Sequence, residues 1–136
     1  MKKVLVIDDN LLIRQTLQIS LGYFGWDILE APNGREGLLI AMDRNPDAIL
    51  LDWRMPEMDG LTVLRHLRSS SVTKDIPVIM LTAEAHLLPL VQLSRLGVAA
   101  LIAKPFEPVM LSQQIARVIC QDLPHSQHET IDPNSQ

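Results

Sequence analysis

Cysteine is almost missing from this sequence. Cys120 stands alone among 136 residues. Neither an internal disulfide nor a multi-cysteine metal site can form, and a reduced, cytoplasmic setting is expected. Aromatic residues make up only 4%, which leaves Leu, Ile, Val and Ala to fill the core. No apolar stretch approaches the roughly 20 residues that a bilayer span requires. The run Val4 to Ile7, behind Met1-Lys2-Lys3, is also too short for a signal-peptide core. No basic stripe is visible. Net charge is −4, and the acids Asp122, Glu129 and Asp132 lie in a stretch without Lys or Arg. The first 121 residues are therefore nearly balanced, which argues against direct nucleic-acid binding.

What is present is apolar and evenly spread. The chain is 47% hydrophobic and 21% charged, with mean hydropathy +0.14. That suits one compact domain rather than a disordered segment. No internal repeat is seen. After residue 121 the pattern becomes polar, Pro-containing and aperiodic. The reading is one domain over 1–121 and a flexible tail or linker start over 122–136.

Short apolar runs alternate with helical patterns. Strands are predicted at Val4–Ile7, Trp26–Ala31, Ala48–Asp52, Pro77–Thr82 and Ala99–Ala103. Between them, apolar residues recur with helical spacing at Leu11–Leu21, stopped by Gly22, and over a stretch ending near Arg44. Three further helices are predicted at Leu61–Arg68, Leu87–Leu96 and Pro108–Cys120. Asn33 is placed to cap the second helix, with Glu36 as its capping-box partner. Pro89 fits the fourth only in its first turn. Strands without polar alternation belong to parallel sheets covered on both faces. Right-handed crossovers then give an α/β, doubly wound (βα)₅ open parallel sheet of five strands. Ligand sites in such sheets lie beyond the carboxyl ends of the strands.

The polar residues that interrupt the pattern converge on that edge. Asp8 and Asp9 follow the first strand, Asp52 ends the third, Thr82 ends the fourth and Lys104 follows the fifth. Like charges about 4 Å apart repel by several kcal/mol at an effective dielectric near 20. Three converging carboxylates therefore call for a cation, and oxygen ligands of this kind suit Mg²⁺. Such parts suit phosphoryl transfer. A carboxylate can act as nucleophile while a metal and a lysine neutralise the moving phosphoryl group. Asp52, a single strand-end carboxylate in mid-sheet, is the preferred nucleophile. Asp8 and Asp9, adjacent in one loop, are the better metal holders.

The stretches Val4-Leu-Val-Ile-Asp-Asp9, Leu50-Leu-Asp-Trp-Arg-Met-Pro-Glu-Met-Asp-Gly60, Ile79-Met-Leu-Thr-Ala83 and Ala103-Lys-Pro-Phe106 occur in that order. Over about residues 3–121 the chain resembles a response-regulator receiver domain of two-component systems, which implies the flavodoxin-like strand order 2-1-3-4-5. The resemblance implies that Asp52 is the phosphoacceptor, and that Asp8, Asp9, Asp52 and the backbone carbonyl of Arg54 surround Mg²⁺. It also implies that Thr82 and Lys104 contact the phosphoryl oxygens, and that Lys104-Pro105 is cis. The donor would be a sensor histidine kinase or a histidine phosphotransfer protein. The chain would then be a phosphorelay switch, an enzyme only toward its own phosphorylation and dephosphorylation.

The sequence departs from that family at Leu101, where an aromatic is usual three residues before the lysine. An aliphatic side chain cannot report the same rotamer change, so output shifts toward the loop after the fourth strand. Arg54 and Glu84 occupy the two positions that tune phosphate lifetime in the family, and they are placed to pair across the site mouth. Leu87, Leu88, Leu90, Val91 and Leu93 leave the fourth helix little polar face. A partner or homodimer surface is expected on the fourth helix, fifth strand and fifth helix. Cys120 is read as a buried helix residue, and His66 and His86 as surface residues. Trp53 is read as lining the site or covering the surface, and the tail residues His125 and His128 as at most weak chelators.

Two other functions compete. One is an interaction module that is never phosphorylated, although each acceptor-site residue is present. The other is an aspartyl-phosphate phosphohydrolase. Phosphohydrolases of the haloacid-dehalogenase type carry a second Asp two residues after the nucleophile, where this chain has Arg54.

Overall fold

The computed structural model describes residues 2–121. The elements are β1 (Lys3–Ile7), α1 (Leu11–Tyr23), β2 (Asp27–Ala31), α2 (Gly34–Arg44), β3 (Ala48–Asp52), α3 (Gly60–Ser69), β4 (Val78–Thr82), α4 (Leu90–Arg95), β5 (Ala100–Ala103) and α5 (Pro108–Gln121). The strands form one parallel sheet in the order β2-β1-β3-β4-β5. The doubly wound sheet read from the apolar runs is therefore the fold observed. The expected tail, with His125 and His128, lies outside the described residues.

β1, β3 and β4 are the central strands, and Val4–Ile7, Ala48–Leu51 and Val78–Leu81 are wholly buried. Their side chains feed two cores, one on each face. Leu5, Ile7, Ile49, Leu51 and Met80 pack with Val63, Leu64, Leu67 and Leu93. Val4, Val6, Leu50, Ile79 and Leu81 pack with Leu17, Leu21, Leu111, Ile115 and Ile119 on the other. Burial on both faces is why no polar alternation marks these strands.

Helix termini follow local chemistry. The Asn33 side chain accepts from Glu36 N at 2.9 Å and donates to Glu36 Oε2 at 3.1 Å, completing the expected capping box. Asp59 caps α3 by accepting from Thr62 N at 2.9 Å. α1 runs through Gly22, contrary to the sequence reading, and ends two residues beyond Leu21. Its stop is Gly25, at φ +96, with Trp26 N donating to Leu21 O at 3.2 Å and Gly25 N to Gly22 O at 3.0 Å. A left-handed residue satisfies the last carbonyls there, and glycine adopts that conformation without a Cβ clash.

α4 is shorter than predicted. Ala85–Leu87 form a 3₁₀ turn, Leu88 is extended, and the helix begins only after Pro89. Proline disfavours helical backbone in the residue before it, so the turn and the helix cannot join. Cys120 is exposed, not buried. The inward row of α5 is Leu111, Ile115, Val118 and Ile119, and the next position turns out of it. β2, β4 and β5 each begin one residue later than their apolar runs.

Candidate phosphoacceptor site

The turn after β1 places the first acids. Asp8 N continues the strand by donating to Ala31 O at 3.1 Å. Its buried carboxylate accepts from Asn10 N at 2.9 Å. Asn10 in turn caps α1, its side chain accepting from Ile13 N at 3.2 Å. Arg14 holds the turn from behind, donating to Asp8 O at 2.8 Å and to Glu30 Oε1 at 3.2 Å. Asp9, next in the chain, is exposed.

Asp52 is the last residue of β3 and is buried. The chain then doubles back, and Gly60 N donates to Trp53 O at 2.8 Å. A Cβ at Gly60 would lie 2.9 Å from Asp52 O and 3.0 Å from Trp53 Cα. Only glycine lets α3 start so close behind the acid. Trp53 is partly buried and packs on the α3 side of the sheet, outside the residues that line the acidic pocket.

Thr82 ends β4, buried, and its hydroxyl oxygen accepts from Glu84 N at 2.9 Å. Lys104 follows β5, and its backbone N donates to Thr82 O at 2.8 Å. Its ammonium bridges two of the acids, donating to Asp52 Oδ1 at 2.9 Å and Asp8 Oδ2 at 3.1 Å. The Lys104-Pro105 bond is cis, as the resemblance implied. Oxygens of Asp8, Asp9 and Asp52 lie within 4.8 Å of one another. All five predicted side chains open onto one pocket of about 300 Å³. Arg54 lines the same pocket and turns its guanidinium to Glu84, with Nη2 2.6 Å from Oε1. That is the pairing expected from the sequence.

The electrostatics are lopsided. Burial pushes the Asp52 carboxyl up from 3.8 to about 6; its hydrogen bond to Lys104 opposes this, and the Asp8 charge adds to it. Burial works against the Lys104 ammonium too. Its bond to Asp52 and the charges of Asp52 and Asp8 outweigh that and hold its pKa above the ordinary value. One ammonium does not neutralise three carboxylates, and the donor set is all oxygen. These residues therefore fit a hard divalent cation of the Mg²⁺ kind.

Asn10, Arg14 and Gly60 support the site and were not read from the sequence as doing so. Arg14 carried a signal, being the only charged residue in α1. Asn10 and Gly60 act through backbone geometry, which side-chain chemistry does not announce.

The response regulator receiver domain model matches residues 4–116, and the chain belongs to that family. It is a receiver domain of two-component signalling. The phosphate regulon transcriptional regulatory protein PhoB of Pseudomonas aeruginosa is 36% identical over 87% of this chain and 52% of its own length. The chemotaxis protein CheY1 of Helicobacter pylori is 37% identical over 86% of this chain and 96% of its own. The chain thus spans about half the length of relatives such as PhoB and nearly all of a chemotaxis regulator. Among solved structures, the chemotaxis protein CheY4 of Vibrio cholerae superposes with TM-score 0.80 at 34% identity, covering 87% of this chain and 98% of that one. The receiver domain of a Pseudomonas aeruginosa sensor histidine kinase, solved with magnesium coordinated in its active-site cleft, has TM-score 0.79 at 27% identity, over 87% of this chain and 97% of its own. Among the described residues no helix is long and apolar enough to cross a membrane.

Proposed function

We propose that this domain is a phosphorelay switch in which Asp52 accepts a phosphoryl group from a phosphohistidine. The observation that carries this is the Lys104 ammonium bridging Asp8 and Asp52 at the mouth of a pocket that also holds Asp9 and Thr82. In the proposed transfer an Asp52 carboxylate oxygen bonds to phosphorus as the phosphorus–nitrogen bond breaks. The imidazole leaves and takes up a proton from solvent. Lys104 keeps Asp52 ionised for attack and can follow the charge onto the phosphoryl oxygens. The Thr82 hydroxyl uses an oxygen lone pair for Glu84 N, so its proton is available to donate to the phosphoryl group. Asp8, Asp9, Asp52 and the carbonyl of Arg54 would hold Mg²⁺. Bound there, the ion supplies neutralisation of the acids and of the incoming phosphoryl oxygens.

The proposed donor is a sensor histidine kinase or a histidine phosphotransfer protein, and the proposed setting is the cytoplasm. The chain catalyses its own phosphorylation and dephosphorylation but does not turn over small phosphoesters. The position two residues after the nucleophile is Arg54, a cation tied to Glu84, not an acid. Direct contact with nucleic acid is not part of this role.

Output is proposed to leave through the β4–α4 loop. A Thr82 hydroxyl that turns to the phosphoryl group releases Glu84 N, and with it the 3₁₀ turn that leads to α4. Leu87 in the 3₁₀ turn, Leu90 and Val91 on α4 and Leu101 on β5 are exposed, offering a partner or a second copy an apolar face.

Incubation with Mg²⁺ and acetyl phosphate tests this reading. Intact mass should rise by one phosphoryl group in the wild type and stay unchanged in Asp52→Asn. A wild-type chain that stays unmodified overturns the reading.

A further inference from the structure

The last turn of α3 carries a clamp. Arg68, its penultimate residue, sends its guanidinium to four backbone carbonyls in two separate segments. Nε donates to Leu96 O at 2.7 Å and Nη2 to Gly97 O at 3.3 Å. Nη1 donates to Lys74 O at 3.0 Å and to Ile76 O at 2.8 Å. The first two carbonyls close α4, and the other two lie just before β4. One planar cation thus joins the entry of β4 to the exit of α4. The rigid guanidinium fork suits that task, and a lysine ammonium does not. The cation also faces the negative end of the α4 dipole.

The post that holds the clamp is fixed. Val63, Leu64 and Leu67 seat α3 in the core. The buried Thr73 hydroxyl ties down the segment after α3 by donating to Leu67 O at 2.7 Å. One turn before Arg68, Arg65 Nη2 donates to Gln92 Oε1 at 2.8 Å, a second tie from α3 to α4. Backbone closes the exit of α4 as well. With Gly97 at φ +70, Val98 N reaches Leu93 O at 3.1 Å, and Ala99 N then donates to Val78 O at 2.8 Å, into the sheet. The amino end of α4 is built differently. Pro89 gives no side-chain cap, and Leu90 and Val91 are exposed. Ahead of them Leu88 is buried, and the 3₁₀ turn follows the bond from Glu84 N to the Thr82 hydroxyl.

We infer that Arg68 is a positioning residue of the switch: its clamp holds the exit of α4 still, so the helix pivots there and swings its amino end. The inference rests on the output route proposed above and adds where the movement stops. A six-residue helix with one buried side chain has little else to keep it from drifting as a whole. With the exit held, release of Glu84 N becomes rotation about that end, and Leu90 and Val91 move most. Arg68 sits at the amino edge of the sheet, opposite Asp52 and Thr82, and outside the residues that line the acidic pocket. It therefore acts on α4 and not on the acceptor chemistry.

Hydrogen–deuterium exchange on the full chain, with and without Mg²⁺ and excess acetyl phosphate, tests the pivot, because amide exchange reports local opening. Intact mass shows whether Asp52 is modified. In the wild type, phosphorylation should change exchange over residues 84–91 at least fivefold and over residues 95–99 less than twofold. Arg68→Gln should raise exchange over 95–99 at least tenfold without phosphate, and phosphorylation should then move both segments alike. Should Arg68→Gln not fold, Arg68→Lys takes its place with the same expected pattern, since it keeps the charge and loses the fork. Thr73→Val removes a buried hydrogen bond at the same end of α3 that does not reach α4. It should lower the urea midpoint and keep the wild-type exchange pattern in α4. An Arg68 variant whose pattern matches Thr73→Val overturns the proposal. So does a wild type in which phosphorylation moves 95–99 as much as 84–91. If the wild type takes up no phosphoryl group, the phosphorelay reading falls by itself. The unphosphorylated chains then decide the pivot. It requires 95–99 to exchange more slowly than 84–91 in the wild type, and it is overturned if the Arg68 variant keeps that order.

Discussion

Asp52 carries a charge that its surroundings resist. Its carboxyl is pushed from 3.8 to about 6, so the folded domain binds the proton more tightly than the unfolded chain. The stabilising contribution of this group is therefore present below pH 3.8 and lost as pH rises through about 6. A rise from 3.8 to about 6 corresponds to about 3 kcal/mol at most. Asp52→Asn keeps the shape and removes the charge. Without divalent cations it should exceed the wild type by about 2–3 kcal/mol at pH 8 and match it near pH 4, as urea unfolding at the two values would show. Equal stability at pH 8 would contradict the strain assigned to this carboxylate. At the mouth of the same pocket, the Arg54–Glu84 pair is exposed, and such pairs contribute under about 1 kcal/mol. If it slows water reaching the acyl phosphate, Arg54→Ala shortens the phospho-Asp52 half-life about two- to fivefold. Phosphate release from the isolated phosphoprotein measures this, and an unchanged half-life removes the pair from the account.

At the scale of elements, the loop from β3 to α3 is the tightest join in the site. A methyl group on Gly60 would meet backbone atoms of Asp52 and Trp53 at 2.9 and 3.0 Å, and backbone cannot swing aside. Gly60→Ala should cost about 1–3 kcal/mol, typical of overpacking, and also slow phosphorylation by acetyl phosphate because β3 must shift. Thermal unfolding and the phosphorylation rate should fall together. A drop in stability alone would show that α3, not Asp52, absorbs the strain. α4 is the opposite kind of element. It has six residues and a single buried side chain, Leu93. That is little to hold a helix too short to persist by itself, which suits the movement proposed for the β4–α4 region. Its length was not legible in the sequence. The apolar run Leu87 to Leu96 reads as one helix, and only the folded backbone at Leu88 and Pro89 splits it.

Taken as a whole molecule, the domain collects like charges from chain positions 8, 9 and 52 and balances them with one ammonium from position 104. A cation that binds only the folded arrangement must stabilise the whole fold. At a Mg²⁺ concentration about 100 times the dissociation constant, the gain is about 2.7 kcal/mol. That gain should vanish in Asp8→Asn combined with Asp9→Asn. A melting series against Mg²⁺ would show it, and an equal gain in the double variant would place the ion elsewhere. The strands and the five site residues were readable from the chain. A strand buried on both faces is a continuous apolar run, and an acid, hydroxyl or lysine at its carboxyl end stands out against that run. The Arg54–Glu84 pairing was readable too, from loop positions and opposite charge. The outward turn of Cys120, the extension of α1 past Gly22 and the supports at Asn10, Arg14 and Gly60 were decided by tertiary structure. Each depends on which side of a helix meets the sheet or how closely two backbones approach. A one-dimensional pattern of residue types does not contain those distances.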